Sequence, residues 1–218
     1  MDINSNIYDF MKEIYEHENH RYTSWEICFE AFKDRNLDDK TKALHLSGFL
    51  CSWGMYRGKG KLLKSYNYLI FKDLIPTLNN YKDLRVDFLE ENVYNKFLYL
   101  VGKIEEYLSN LKISSTHTLV TKVILGVYGC FPALDQYFLE GYKRYGYKFS
   151  TNIFKRPEHF AEFYDSLKSF YSANKILFEN ERKMIKRTRK INYTPMKLID
   201  MCFWNYGKFF IDCKKFFK

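Results

Sequence analysis

Lys122 is the only charged side chain between Lys112 and Asp135. A lysine set among apolar residues must snorkel to solvent or find a partner. Asp135 follows thirteen residues later, expected in the first turn of a helix opened by Pro132, where the positive end of the helix favours a carboxylate. A short turn between the two helices lets the side chains meet. Such a pair has two uses. It locks a helical hairpin as a structural ion pair. Alternatively, desolvation lowers the lysine pKa and makes the amine a nucleophile, with the carboxylate orienting it or stabilising a developing cation. Attack of that amine on a sugar anomeric carbon gives a Schiff base and releases a nucleobase.

Three further groups surround this pair in the sequence. Residues 52–61 hold three glycines together with Trp53, Arg57, Lys59 and Lys61. A glycine-bearing loop before a helix presents backbone N–H groups to phosphate, and the three cations add charge. The same composition also suits a tight interhelical turn with Trp53 and Met55 in the core. The spacing is not that of a Walker A loop. Near the C-terminus, Lys197, Asp200, Trp204, Asn205, Tyr206 and Lys208 share one helical pattern. Asp200 is placed beside the apolar face, where it would meet a buried base such as Lys122 or Arg57, or it is an exposed helical charge. Trp53 and Trp204 would stack on an extruded base, or fill the core. The last group is Arg182, Lys183, Lys186, Arg187, Arg189 and Lys190, six basic residues within nine. It attracts phosphate backbones or an anionic membrane surface, or is a solvated helix end.

The charge is uneven. Residues 141–218 contain 18 Lys and Arg against seven Asp and Glu, while residues 1–140 are slightly acidic, so the net charge of +9 comes from the last third. Apolar residues make up 46% of the 218, which excludes wholesale disorder. No apolar run is long enough to span a membrane, and the first ten residues lack the pattern of a secretory signal. The five cysteines (28, 51, 130, 202 and 213) include no CxxC pair and sit among apolar neighbours. They read as small core residues in a reducing compartment, not as zinc ligands or a disulfide framework. The five scattered histidines give no metal-binding spacing. Neither a metal nor another cofactor is expected.

An apolar period near 3.6 runs through most of the chain. It predicts an all-α fold: one compact domain over 1–218 with about eight or nine helices and a basic C-terminal third. The predicted helices cover 2–16, 24–32 with Ser24 as cap, and 36 or 38 to 51. A fourth runs from 61 to 75, where Pro76 breaks or kinks it. Residues 83–108 predict one long helix. Another is capped by Ser114, Ser115 or Thr116 and reaches 127. The remaining ones are 132–142, a long helix from Pro157 toward 184, and a last one opened by Thr194 and Pro195. Residues 145–153 suit an extended loop or a short hairpin.

The segment holding Lys122 and Asp135 resembles the lysine-then-aspartate region of the helix-hairpin-helix DNA glycosylase superfamily, particularly its oxidised-guanine branch. The glycine loop at 52–61 resembles, superficially, the hairpin of helix-hairpin-helix DNA-binding elements. The resemblance implies Lys122 as Schiff-base nucleophile and Asp135 as activating carboxylate in a glycosylase/lyase-type hydrolase. Arg57, Lys59, Lys61 and the 182–190 run would hold DNA, or RNA, by its phosphates. Trp53, Trp204 and Asp200 would line the base pocket. Residues 46–63, 119–138 and 195–206 also look similar to a group of uncharacterised bacterial helical proteins. The expectation is a bacterial cytoplasmic nucleic-acid-binding protein, glycosylase-like if an enzyme. A non-catalytic helical module binding nucleic acid or protein, of the kind used in phage defence, accounts for the charge equally well. The accessibility of Lys122 separates the two.

Overall fold

The computed structural model describes residues 1–57 and 62–216. Among them are eleven α-helical segments and no strand. They are α1 (Ile3–Glu16), α2 (Ser24–Lys33), α3 (Asp39–Ser52), α4 (Leu62–Ser65), α5 (Ile75–Asn79), α6 (Tyr94–Asn110), α7 (His117–Tyr128), α8 (Gln136–Arg144), α9 (Pro157–Ala173), α10 (Lys175–Arg189) and α11 (Pro195–Phe216). The all-α expectation holds, with a slightly higher count.

Local capping chemistry explains most boundaries. Asp2 caps α1 by accepting from the Ser5 amide, Asp38 caps α3 through Thr41, and Thr116 caps α7 through Leu119. Ser24 does not cap α2. It is the first residue of α2, behind a 3-10 turn at Arg21–Thr23, and its hydroxyl donates to the Arg21 carbonyl.

Four other expectations are corrected. The expected helix over 61–75 is instead α4 followed by a 3-10 segment at Tyr68–Leu74, and Pro76 does not end it but sits in the first turn of α5, where its missing N–H costs nothing. Residues 83–93 are not α-helical, and α6 starts only at Tyr94. Two short 3-10 turns, Lys82–Leu84 and Glu91–Val93, flank the segment, and between them the Leu89 amide donates to the Tyr164 hydroxyl. Pro132 does not open α8. It lies in the preceding turn, and Asp135 takes the cap position with bonds from the Tyr137 and Phe138 amides. The long helix from Pro157 is broken at Asn174, whose side chain donates back to the Phe170 carbonyl. Residues 145–153 contain no strand.

Two central elements organise the core. Every residue from 119 to 134 is buried, as is every residue from 193 to 204. The first run is α7 and the turn after it; the second is the N-terminal half of α11. Helices α2 and α3 pack on α7, and α1 and α8 pack on α11. The contact between α8 and α11 is backbone on backbone. A Cβ on Gly141 would lie 2.0 Å from the Phe203 carbonyl oxygen, and one on Gly207 would lie 1.9 Å from that of Tyr137. Only glycine permits this approach.

Candidate functional site

Lys122, from the middle of α7, donates from Nζ to Asp135 Oδ2 at 3.0 Å and is 3% exposed. The pairing expected from the sequence is present. Asp135 uses its other oxygen to cap α8. Asp200 is buried rather than exposed, and it does not meet Lys122 or Arg57. Its Oδ2 accepts from Lys197 Nζ at 3.0 Å, and its Oδ1 accepts from the Ala133 amide at 2.9 Å. Residues three apart share a helix face, so Lys197 is the nearer cation, whereas Arg57 is exposed at the surface. The sequence reading missed Lys197 as the partner. The signal available was a Lys and an Asp at that spacing inside an otherwise apolar run.

The two pairs lie together. Lys122 Nζ is 4.7 Å from the Trp53 ring centroid and Lys197 Nζ is 5.7 Å from the same ring, with Phe10 and Trp25 also against Lys197. Cations over aromatic faces gain electrostatic stabilisation that increases as water is removed. Burial holds the Lys197 ammonium below the usual lysine range; Asp200 opposes this, and Lys122 adds to it. The crevice lined by Trp53, Phe49, Ala133 and the four charged residues has room for about one water molecule. Trp53 and Trp204 do not form a slot. Their rings meet edge to face at 86°, with Trp53 stacked instead on Tyr22.

Asp200 serves the turn at 129–134, which is buried and irregular, whereas Asp135 caps the helix that follows it. Buried backbone polar groups outside regular structure need side-chain partners, and the neighbouring elements supply them. Thr194 donates to the Gly129 carbonyl, and Tyr164 to that of Cys130. Asp200 accepts from Ala133, Thr121 accepts from Leu134, and Thr118 donates to the Leu134 carbonyl. Gly129 itself has φ +68°, the left-handed conformation that ends α7. Lys197 neutralises the acid that this turn requires, and Lys122 the acid that caps α8.

The basic run divides into two sets. Arg182 makes a bidentate pair with Asp87, with both bonds 2.7 Å long, and Arg189 grips Glu26. Glu26 is buried and also accepts from the Tyr193 hydroxyl. These two arginines therefore anchor α10. Lys183, Lys186, Arg187 and Lys190 are exposed and have no acidic partner among the described residues. Lys59 and Lys61 lie outside the described residues. Cys28, Cys130 and Cys202 are core residues as expected, whereas Cys51 is exposed and Cys213 half-buried. Among the described residues, no three or more His, Cys, Asp or Glu side chains are placed to hold a metal ion. No helix among them is long and apolar enough to cross a membrane.

Fold and site together define an all-helical protein whose two central helices carry adjacent buried lysine–aspartate pairs, with a basic helix outside. No family model matches the chain, and no solved structure matches it. It is similar to the RNA-directed RNA polymerase L of Tomato spotted wilt virus (strain Brazilian Br-01), at 28% identity over 137 residues. The match covers 63% of this chain and 5% of the polymerase, so the chain spans a small part of that protein's length.

Proposed function

We propose that this chain is a non-catalytic nucleic-acid-binding module that engages phosphates through the outer face of α10. The observation carrying this reading is the division of the basic run. Arg182 and Arg189 are spent on Asp87 and Glu26 and fix the helix, which leaves Lys183, Lys186, Arg187 and Lys190 turned outward without acidic partners. Point charges on one helix suit backbone contacts, which position a protein without specifying sequence. A cytoplasmic setting fits the same reading, since Cys28, Cys130 and Cys202 are free thiols in the core. The matched viral protein is named as an RNA polymerase, which is the reason to test RNA beside DNA.

The test is fluorescence anisotropy of labelled single- and double-stranded DNA and RNA across a salt series. Four phosphate contacts predict a log–log salt slope of roughly −4 on duplex DNA. The quadruple variant Lys183→Glu, Lys186→Glu, Arg187→Glu, Lys190→Glu is expected to abolish binding, and Arg57→Ala to leave most of it. Binding that is absent, insensitive to salt or unchanged in the quadruple variant overturns the proposal.

One observation favours a second reading, glycosylase/lyase chemistry at Lys122: its amine does touch Asp135. That reading requires Trp53 to leave the crevice, because no base fits beside Lys122 with the ring in place. The amine would attack the anomeric carbon as the C–N glycosidic bond breaks, and the base would depart with a proton. Borohydride trapping on duplexes carrying modified bases tests it, with Lys122→Ala alongside. An adduct that vanishes in the variant supports lyase chemistry; absence of any adduct sinks it for those bases.

A further inference from the structure

A second cavity, of about 580 Å³, opens between the end of α2, the start of α3 and residues 79–85. Its volume falls in the range of small-ligand sites. Five cations line it: Lys33, Arg35, Lys42, Lys82 and Arg85. Two acids, Asp34 and Asp83, also face it, but both are engaged. Asp34 accepts from the Asn36 amide, and Asp83 pairs with Lys96 at 2.5 Å. Lys33 is likewise held by Glu30. The remaining four cations have no acidic partner among the described residues.

Two of these four are unusual. Lys42 is only 6% exposed, and its ammonium makes no hydrogen bond or ion pair with any described residue. Its stem is packed, while the ammonium itself reaches the cavity and is left free for an anion there. Arg85 is half-buried, and desolvation pushes its guanidinium down to about 10. One of its terminal nitrogens donates to the Phe29 and Val127 carbonyls. The other, Nη1, is buried without a partner. Carbonyls orient the Arg85 guanidinium but leave its charge unneutralised.

We propose that this cavity is an anion site for a phosphoryl group, with Lys42 and Arg85 as its inner donors and Arg35 and Lys82 at its mouth. A phosphoryl group is a compact multivalent anion with several acceptor oxygens, which suits convergent Lys and Arg donors. Its source is either a free small phosphorylated molecule or the terminal phosphate of a strand. None of these residues belongs to α10, so the site stands apart from the binding face proposed above.

Isothermal titration of the full chain tests it, with three probes: inorganic phosphate, pyrophosphate, and a trinucleotide with or without a 5′-phosphate. Saturable binding of pyrophosphate or phosphate is expected. It should weaken at least about tenfold in Lys42→Met, which keeps the packed stem of the side chain. It should weaken similarly in the double variant Arg35→Ala, Lys82→Ala, whose side chains are exposed. For the two inorganic probes, which carry no strand backbone for α10 to track, the quadruple α10 variant should bind as the wild type does. A trinucleotide that binds only when 5′-phosphorylated assigns the site to a strand end, whereas binding of the inorganic probes alone assigns it to a free ligand. No saturable binding of any probe overturns the proposal, as does an affinity unchanged in both pocket variants.

Discussion

At the scale of single residues, burial of two lysines and two aspartates around one tryptophan needs a physical reason. Asp200 accepts a backbone N–H that a buried turn cannot otherwise satisfy, Asp135 accepts the unpaired first N–H groups of α8, and each lysine neutralises the carboxylate so used. Removing one partner leaves an uncompensated charge, which is more damaging than removing both. Lys197→Met strands Asp200, 4% exposed, whereas Lys122→Met strands Asp135, which is 13% exposed and stabilised at a helix N-terminus. The expected losses are about 4 kcal/mol for the first and about 3 kcal/mol for the second. Adding Asp135→Asn to Lys122→Met should recover much of the loss, because asparagine still caps α8. Urea unfolding of the full cycle measures this; strictly additive single and double variants would contradict the pairing.

At the scale of elements, α8 and α11 are bound by close backbone approach, and α7 is held by side chains from α2 and α3. The glycines distinguish these contacts. Gly141→Ala must force α8 from α11, because its Cβ would meet a backbone carbonyl at 2.0 Å. It is expected to cost more than about 3 kcal/mol. Gly102, exposed in the interior of α6, has nothing within 4 Å of an added Cβ. There alanine should stabilise by about 0.5–1 kcal/mol. Thermal unfolding reads both, at roughly 2–4 °C per kcal/mol for a chain of this size. Equal melting temperatures for the two variants would refute the close packing of α8 on α11.

At the scale of the whole molecule, the aromatic core sets the alkaline limit. Burial raises the hydroxyls of Tyr128, Tyr164 and Tyr193 well above the ordinary tyrosine range. Above a pH of about 10 the unfolded chain releases these protons and the folded chain keeps them. The folded state then binds more protons, so stability falls as pH rises. The buried set should ionise only together with the loss of helical circular dichroism. Tyrosinate absorbance followed beside ellipticity checks this; complete ionisation with helicity intact would contradict the burial.

The sequence by itself determined the all-α class, a cap for α7 at Ser114, Ser115 or Thr116, the opening of α11 at Pro195 and the candidacy of Lys122 with Asp135. These rest on local rules: apolar period, capping chemistry and a lone charge in an apolar run. Tertiary structure decided the rest. It turned residues 83–93 away from α-helix, split α9 from α10, paired Asp200 with Lys197, and turned Arg182 and Arg189 inward while leaving four neighbours outside. It also brought Lys42 to Arg85, 43 positions apart, into one cavity. These outcomes depend on which surfaces meet and which polar groups lose water, and residues distant in the chain set both.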